Sequence, residues 1–211
     1  MVQNEEPRRG RPRSFDLGVA VDAAQGAFWR SGYSETSLDT LTAAMGVNRP
    51  SLYAAFGDKR ALFLRAMDAY LARIREVGPP FLARPEPLEA ALLRFGHAVL
   101  DIYVGADGGR GCFLISTAIT PSPDDPEIRL LLAEGLRLLD ALVLSRLERD
   151  RTRGVVRAGA DLPALARHFG GVLNALALRA RAGEPRGELE AALAFAASLT
   201  AGHAVIRGGR G

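Results

Sequence analysis

The sequence predicts an all-α fold, and three observations carry that expectation. Over 211 residues there is no sustained alternation of Val, Ile and Thr with polar residues, the pattern a half-buried strand would show. Apolar residues recur instead at three- and four-residue intervals, and Ala, Leu and Arg, all strong helix formers, dominate from residue 60 onward. Ser, Asp, Asn, Gly and Pro then fall where helices start and stop. Val155 and Val156, set between glycines, are too short a run to found a sheet.

About nine helices are expected. The first covers roughly 15–31, with Leu17, Val21, Ala24 and Phe28 on one face and Gly32 as its stop. Ser37 caps a short second helix that ends at Met45, and Asp39 sits in its first turn, where the helix dipole favours an acid. Gly46 supplies the left-handed residue of a sharp turn. Asn48 caps a third helix with Arg49 and Pro50 in its first turn, and Gly57 ends it. Asp58 caps a fourth helix running to about Val77, closed by Gly78, Pro79 and Pro80. A fifth spans 88–104 and a short apolar sixth 111–119. Asp125 caps the seventh, 126–151, with Pro126 at its first position; Asp161 caps the eighth, which reaches 182, and the ninth spans 188–206.

Composition excludes several classes. With 48% hydrophobic and 24% charged residues the chain is not disordered as a whole, and no apolar run approaches the roughly 18 residues of a membrane span. The N-terminal residues lack the apolar core of a secretory leader, and one Cys permits neither an internal disulfide nor a Cys-rich zinc cage. A cytoplasmic protein is expected. The three His residues, 97, 168 and 203, have no helical i+4 partner for a metal, and no GxSxG, HExxH or phosphate-cradling loop occurs. The expectation is therefore no enzyme, no metal and no cofactor.

Charge is mild overall, at +3, but unevenly placed: Arg8, Arg9, Arg11 and Arg13 alternate with Pro7, Gly10 and Pro12. Such a segment cannot form a helix, so residues 1–14 read as a flexible basic arm suited to a polyanion. Lys59 is the only lysine.

Residues 37–56, SLDTLTAAMGVNRPSLYAAF, have the layout of a helix-turn-helix. Leu38, Leu41, Ala44 and Val47 form one apolar stripe, and Leu52 and Phe56 a matching one, so burying both turns the other side of the second helix outward. That side fits a major groove about 12 Å wide. An αα-corner within a core has the same spacing.

The residues themselves narrow the choice. FWRSGYSETSLDTLTAAMGVNRPSLYAAFGDKRALF (28–63) resembles the N-terminal domain of the tetracycline-repressor (TetR) family, through Phe28, Gly32, Tyr33, Thr36, Ser37, Leu52, Tyr53 and Lys59. The resemblance implies that Thr36 and Ser37 bond a phosphate at a helix N-terminus, that Tyr53 bonds a second through its hydroxyl, and that Lys59 contacts a third. Beyond the Leu52-Tyr53 pair the sequence departs from the family, because Ala54 and Ala55 can offer only a methyl to a thymine. Base reading is then left to Asn48, Arg49, Pro50 and Ser51, with Arg49 the guanine reader. Residues 14–60 hold four cations (Arg30, Arg49, Lys59, Arg60) against five acids (Asp16, Asp22, Glu35, Asp39, Asp58), a net of −1. Counterion release must therefore come largely from Arg9, Arg11 and Arg13 of the arm, expected along the minor groove.

The resemblance further implies three parts: arm 1–14, DNA-binding domain 15–60, and a ligand-binding and dimerisation domain 61–207. A homodimer through the last two helices would read a palindromic operator in double-stranded DNA. Leu162, Leu165, Phe169, Val172, Leu173, Leu176 and the Ala-rich 191–201 segment offer its apolar faces, with Gly170 and Gly171 allowing close approach. Phe63, Tyr70, Phe81, Phe95, Tyr103 and Phe113, with His97, Ser116, Thr117 and Asn174, are the expected lining of a pocket for a small apolar or aromatic inducer. The function expected is a ligand-released repressor. The alternatives are an activator or a Cys112-based redox or electrophile sensor of the same fold, and, outside DNA binding, an all-α carrier or adaptor.

Overall fold

Nine helices follow one another in the structure, a computed structural model that describes residues 15–105 and 109–205, apart from the Phe81 side chain. They are α1 (Leu17–Glu35), α2 (Leu38–Met45), α3 (Arg49–Phe56), α4 (Lys59–Leu82), α5 (Leu88–Val104), α6 (Phe113–Ala118), α7 (Pro126–Thr152), α8 (Leu162–Arg181) and α9 (Arg186–Ala204). The expected all-α class is borne out. Among the described residues the one extended pairing is an isolated antiparallel bridge between Val156 and Val205.

Local chemistry sets most boundaries. The side chains of Ser37, Asn48, Asp58, Asp125 and Asp161 each accept a backbone N–H of the helix that follows, as expected of caps. Gly46 takes φ 64°, ψ 32°, the left-handed conformation that lets α3 leave α2 at a sharp angle. Gly32 breaks α1 with φ 82°, as its position implied, yet one further turn runs on to Glu35. Within α2 the apolar stripe is also shifted: Met45 is buried and Ala44 exposed, because i, i+3, i+7 rather than i+6 falls on the inward face.

Helix α4 overrides its breakers. It continues through Pro79 and Pro80 to Leu82, five residues past the stop expected at Val77. The reason lies on α7. Arg146, 1% exposed at its side chain, donates from Nη1 to the Leu82 carbonyl at 3.1 Å and from Nη2 to that of Glu86, while Nε bonds Asp150 at 2.8 Å. Arg149 donates to Leu82 as well. Cations on the last carbonyls satisfy groups a helix end leaves bare, and they oppose the loss of two backbone donors at the prolines.

The core has two joined parts. α4, α5, α7, α8 and α9 pack on one another, while α1 packs on α2, α4 and α6. Aromatic rings tie α1 to α4 and α6: Phe28 meets Phe63 at 5.0 Å between centroids, Tyr33 meets Phe63 at 4.7 Å, and Trp29 meets Phe113 at 5.4 Å and Tyr70 at 5.5 Å.

Leu162, Phe169, Leu173 and Leu176, expected on a dimer seam, are buried within the single chain. Gly170 abuts Asp140 of α7, so its small size serves the α7–α8 packing. What α8 and α9 leave outside is Gly171, expected on the seam, with Ala175 and Leu178 on α8, and Phe195 (72% exposed) and Leu199 of the expected 191–201 segment on α9.

Candidate nucleic-acid interface

The helix-turn-helix is built from two short helices whose inner faces are sealed. Leu41, Met45, Leu52 and Phe56 are buried, which leaves Asn48, Arg49, Pro50 and Tyr53 exposed on the outer side of α3. Ser51 is half-buried, with its N–H donated to Asn48 Oδ1 at 2.9 Å. Ala54 is exposed beside them.

The flanking residues divide. Ser37 is exposed and its Oγ accepts the Thr40 N–H at 3.0 Å, so it caps α2 at the edge of the surface. Thr36 is wholly buried, and its hydroxyl donates to the Gly32 carbonyl at 2.6 Å. This corrects the expectation that Thr36 offers its hydroxyl to a phosphate: the broken turn at Gly32 uses it. Lys59 is half-buried, with Nζ 4.7 Å from the centre of the Tyr33 ring and donating to the Ser34 carbonyl at 3.2 Å. Burial pushes its amine below the usual lysine range. Arg9, Arg11 and Arg13 lie outside the described residues.

Most cations of this region are already engaged. Arg49 donates from Nε and Nη2 to the Asp39 carboxylate at 2.9–3.1 Å. Arg60, at the start of α4, donates to Asp125 at 2.5 and 2.8 Å and to Glu127 at 2.9 Å, joining α4 to the start of α7. These bonds hold the Asp125 carboxyl down at about 2.

The residues expected around a ligand do not line one cavity. Phe63, Phe95 and Phe113 are wholly buried in the core. Tyr70, Tyr103 and Asn174 border a void of about 10 Å³, too small for any organic ligand. Ser116 donates to the Arg110 carbonyl at 3.5 Å, Thr117 to that of Phe113 at 2.7 Å, and His97 faces Glu190. The Phe81 side chain is outside the described residues. The roomy space is elsewhere, a cleft of about 730 Å³ between α1, α4 and α5, walled by Trp29, Tyr70, Val77 and Ile102, with Gln25 and Arg110 among its polar lining. Of the expected residues whose side chains are described, only Tyr70 reaches it.

Cys112 is buried, and Tyr70 donates its hydroxyl to Sγ at 3.4 Å. Burial pushes the thiol above its usual range, so the resting sulfur is protonated, the environment of an inert thiol.

Comparison with known proteins fits this geometry. Residues 20–66 match the family described as bacterial regulatory proteins, tetR family. Over 176 residues the chain is 31% identical to the HTH-type transcriptional repressor ComR of Escherichia coli (strain K12), covering 83% of this chain and 84% of that protein. The chain belongs to the TetR family. Within that family, the regulator CifR, solved as a cysteine mutant with 26-bp double-strand operator DNA, shares the fold at a TM-score of 0.81 and 30% identity, over 89% of this chain and 98% of that one. The reduced form of E. coli NemR shares it at 18% identity, with a TM-score of 0.74. As a TetR-family protein the chain is a DNA-binding transcriptional regulator and not an enzyme. No helix among the described residues is long and apolar enough to cross a membrane.

Two features of this TetR-family regulator escaped the sequence reading. The Asp39–Arg49 pair joins residues ten apart across a turn, and only the turn's geometry brings them together. Trp29 forms a wall of the cleft with its indole N–H donated to the Arg110 carbonyl at 2.9 Å, 81 residues away, a contact no local pattern announces.

Proposed function

We propose that this protein is a homodimeric repressor that acts in the cytoplasm, occupies a palindromic operator, and leaves it when a small apolar or aromatic ligand binds. The outer face of α3 carries the reading: Arg49, Pro50 and Tyr53 stand exposed on a helix whose other side is sealed by Leu52 and Phe56. A reader presented in this way suits a major groove. The relative named as a repressor, ComR, and the operator complex of CifR support the same assignment. Under this reading residues 15–60 bind DNA and 61–207 sense and dimerise. Tyr53, Ser37 and Lys59 serve phosphates, Asn48 and Ser51 support Arg49 at the bases, and Arg9, Arg11 and Arg13 add the cationic arm.

The exposed stripe of Gly171, Ala175, Leu178, Phe195 and Leu199 is the proposed dimer face. An apolar patch of this kind on a soluble chain marks an interaction surface. Phe195→Glu places a charge in its centre, and light scattering should then give the mass of one chain.

The 730 Å³ cleft has the size and lining of a small-molecule site and lies where α1 and α4 both form walls. A ligand there would favour one tilt of α4 over another, which moves α3 away from the groove. Selection of bound sequences from a random DNA pool tests the core of the proposal. A palindrome with two equal half-sites is the expected result, and recovery of no enriched site overturns it.

A further inference from the structure

The three hydrogen bonds between Arg49 and Asp39 leave the guanidinium half used. Nε and Nη2 are committed to the carboxylate at 2.9–3.1 Å, and Nη1 bonds nothing among the described residues. A guanidinium is a rigid plane carrying five N–H donors. The two oxygens of one carboxylate lie too close together to meet two diverging Nη2 hydrogens, so they share one, and the free edge is the one formed by Nη1 and the second hydrogen of Nη2. That edge holds two parallel donors, the pattern that meets guanine O6 and N7 together.

Stability does not account for the pair. Both side chains are well exposed, 55% for Arg49 and 76% for Asp39, and ion pairs in water contribute little to folding. A carboxylate on a DNA-facing surface is also repelled by phosphates. The first-turn position of Asp39 suits the α2 dipole but does not require a partner on α3.

We propose that Asp39 is a specificity-determining residue that holds Arg49 in its base-reading orientation. It fixes the plane of the guanidinium before DNA arrives, and it cancels the charge that would otherwise draw Arg49 onto the phosphate backbone. An oriented Arg49 whose charge is balanced by Asp39 gains affinity at a guanine and gains little from DNA of any other sequence. The inference rests on the assignment of Arg49 as base reader.

The test uses the full-length protein and the site recovered from the random pool. Binding is measured to that site, to the site with its Arg49-contacted guanine pair replaced, and to unrelated duplex, over a range of salt. Asp39→Ala should lower the ratio of specific to replaced-site affinity by about tenfold, within the range set by one bidentate base contact. It should at the same time tighten binding to unrelated duplex and steepen the salt slope by about one, because Arg49 is released to a phosphate. Asp39→Asn, which keeps the shape and removes the charge, should reproduce the steeper slope. In Arg49→Ala protein, adding Asp39→Ala should change neither the ratio nor the slope. If Arg49→Ala collapses the ratio while Asp39→Ala leaves it intact, the positioning role is wrong and the base reader stands. If Arg49→Ala leaves the ratio unchanged, the base-reading assignment fails and the role of Asp39 fails with it.

Discussion

Two arginine–aspartate pairs in this protein have similar bond lengths and opposite surroundings. Arg49 and Asp39 meet on the outer surface of the helix-turn-helix at 2.9 Å, open to water on every free edge. Arg146 and Asp150 meet at 2.8 Å under the end of α4, with side chains 1% and 5% exposed. Water screens the first pair, so it adds little to folding, and its outer guanidinium edge stays open to a ligand. The second pair has lost its hydration, and its charges are satisfied only by each other and by the carbonyls of Leu82, Arg84 and Glu86. Exposure, more than geometry, separates the pair proposed to serve recognition from the pair that serves the fold.

The largest effect should come from the buried pair. Arg146→Ala leaves Asp150 without its partner and takes one of two arginine donors from the α4 terminus, a loss of about 3–5 kcal/mol, visible as a large fall in Tm. Removing Asp150 as well should not restore stability, because the Glu86 carbonyl stays bare and the Leu82 carbonyl keeps only Arg149. A double variant as stable as the wild type would reduce Arg146 to a mere counter-ion.

Arg49→Ala should do the reverse. Its Tm should match the wild type, while affinity for the selected site falls by about 1–3 kcal/mol in a filter-binding titration. An unchanged affinity would break the contrast between the two pairs.

Arg60 and Asp125 are the intermediate case, half-exposed on one side and mostly covered on the other. Asp125→Asn keeps the cap on α7 and removes the charge, so the Tm should drop less than with Arg146→Ala. The pH dependence follows from the sign of the shift. A carboxyl held at about 2, below its ordinary 3.8, contributes stability that is complete above pH 4 and is lost as pH falls through about 2. The gap in Tm between wild type and variant should therefore be constant from pH 7 to about 4 and shrink below it.

How much of this was legible in the sequence depends on the distance over which each feature is decided. Ser37, Asn48, Asp58, Asp125 and Asp161 act on a backbone N–H two or three residues away, so their capping could be read directly. The outward face of α3 was legible for the same reason, through Leu52 and Phe56. The course of α4 past Pro79 was not, because its support comes from Arg146, more than sixty residues later. Nor was the fate of the apolar residues: Leu173 and Phe113 look alike to a pocket, a dimer seam and a core, and only the packing of distant helices assigns them to the last. Thr36 shows the limit at short range, since its hydroxyl is consumed by a break at Gly32 whose backbone direction the sequence does not state.

The solitary lysine gives the interface a chemical handle. Lys59 is the one side-chain amine in the chain, and its burial against Tyr33 leaves more of it unprotonated at neutral pH than an ordinary lysine would have. An acylating reagent therefore marks one internal position, at the flank of the groove-facing helix. Under the proposed contact of Lys59 with a phosphate, operator DNA should slow that labelling, with no engineered tag needed.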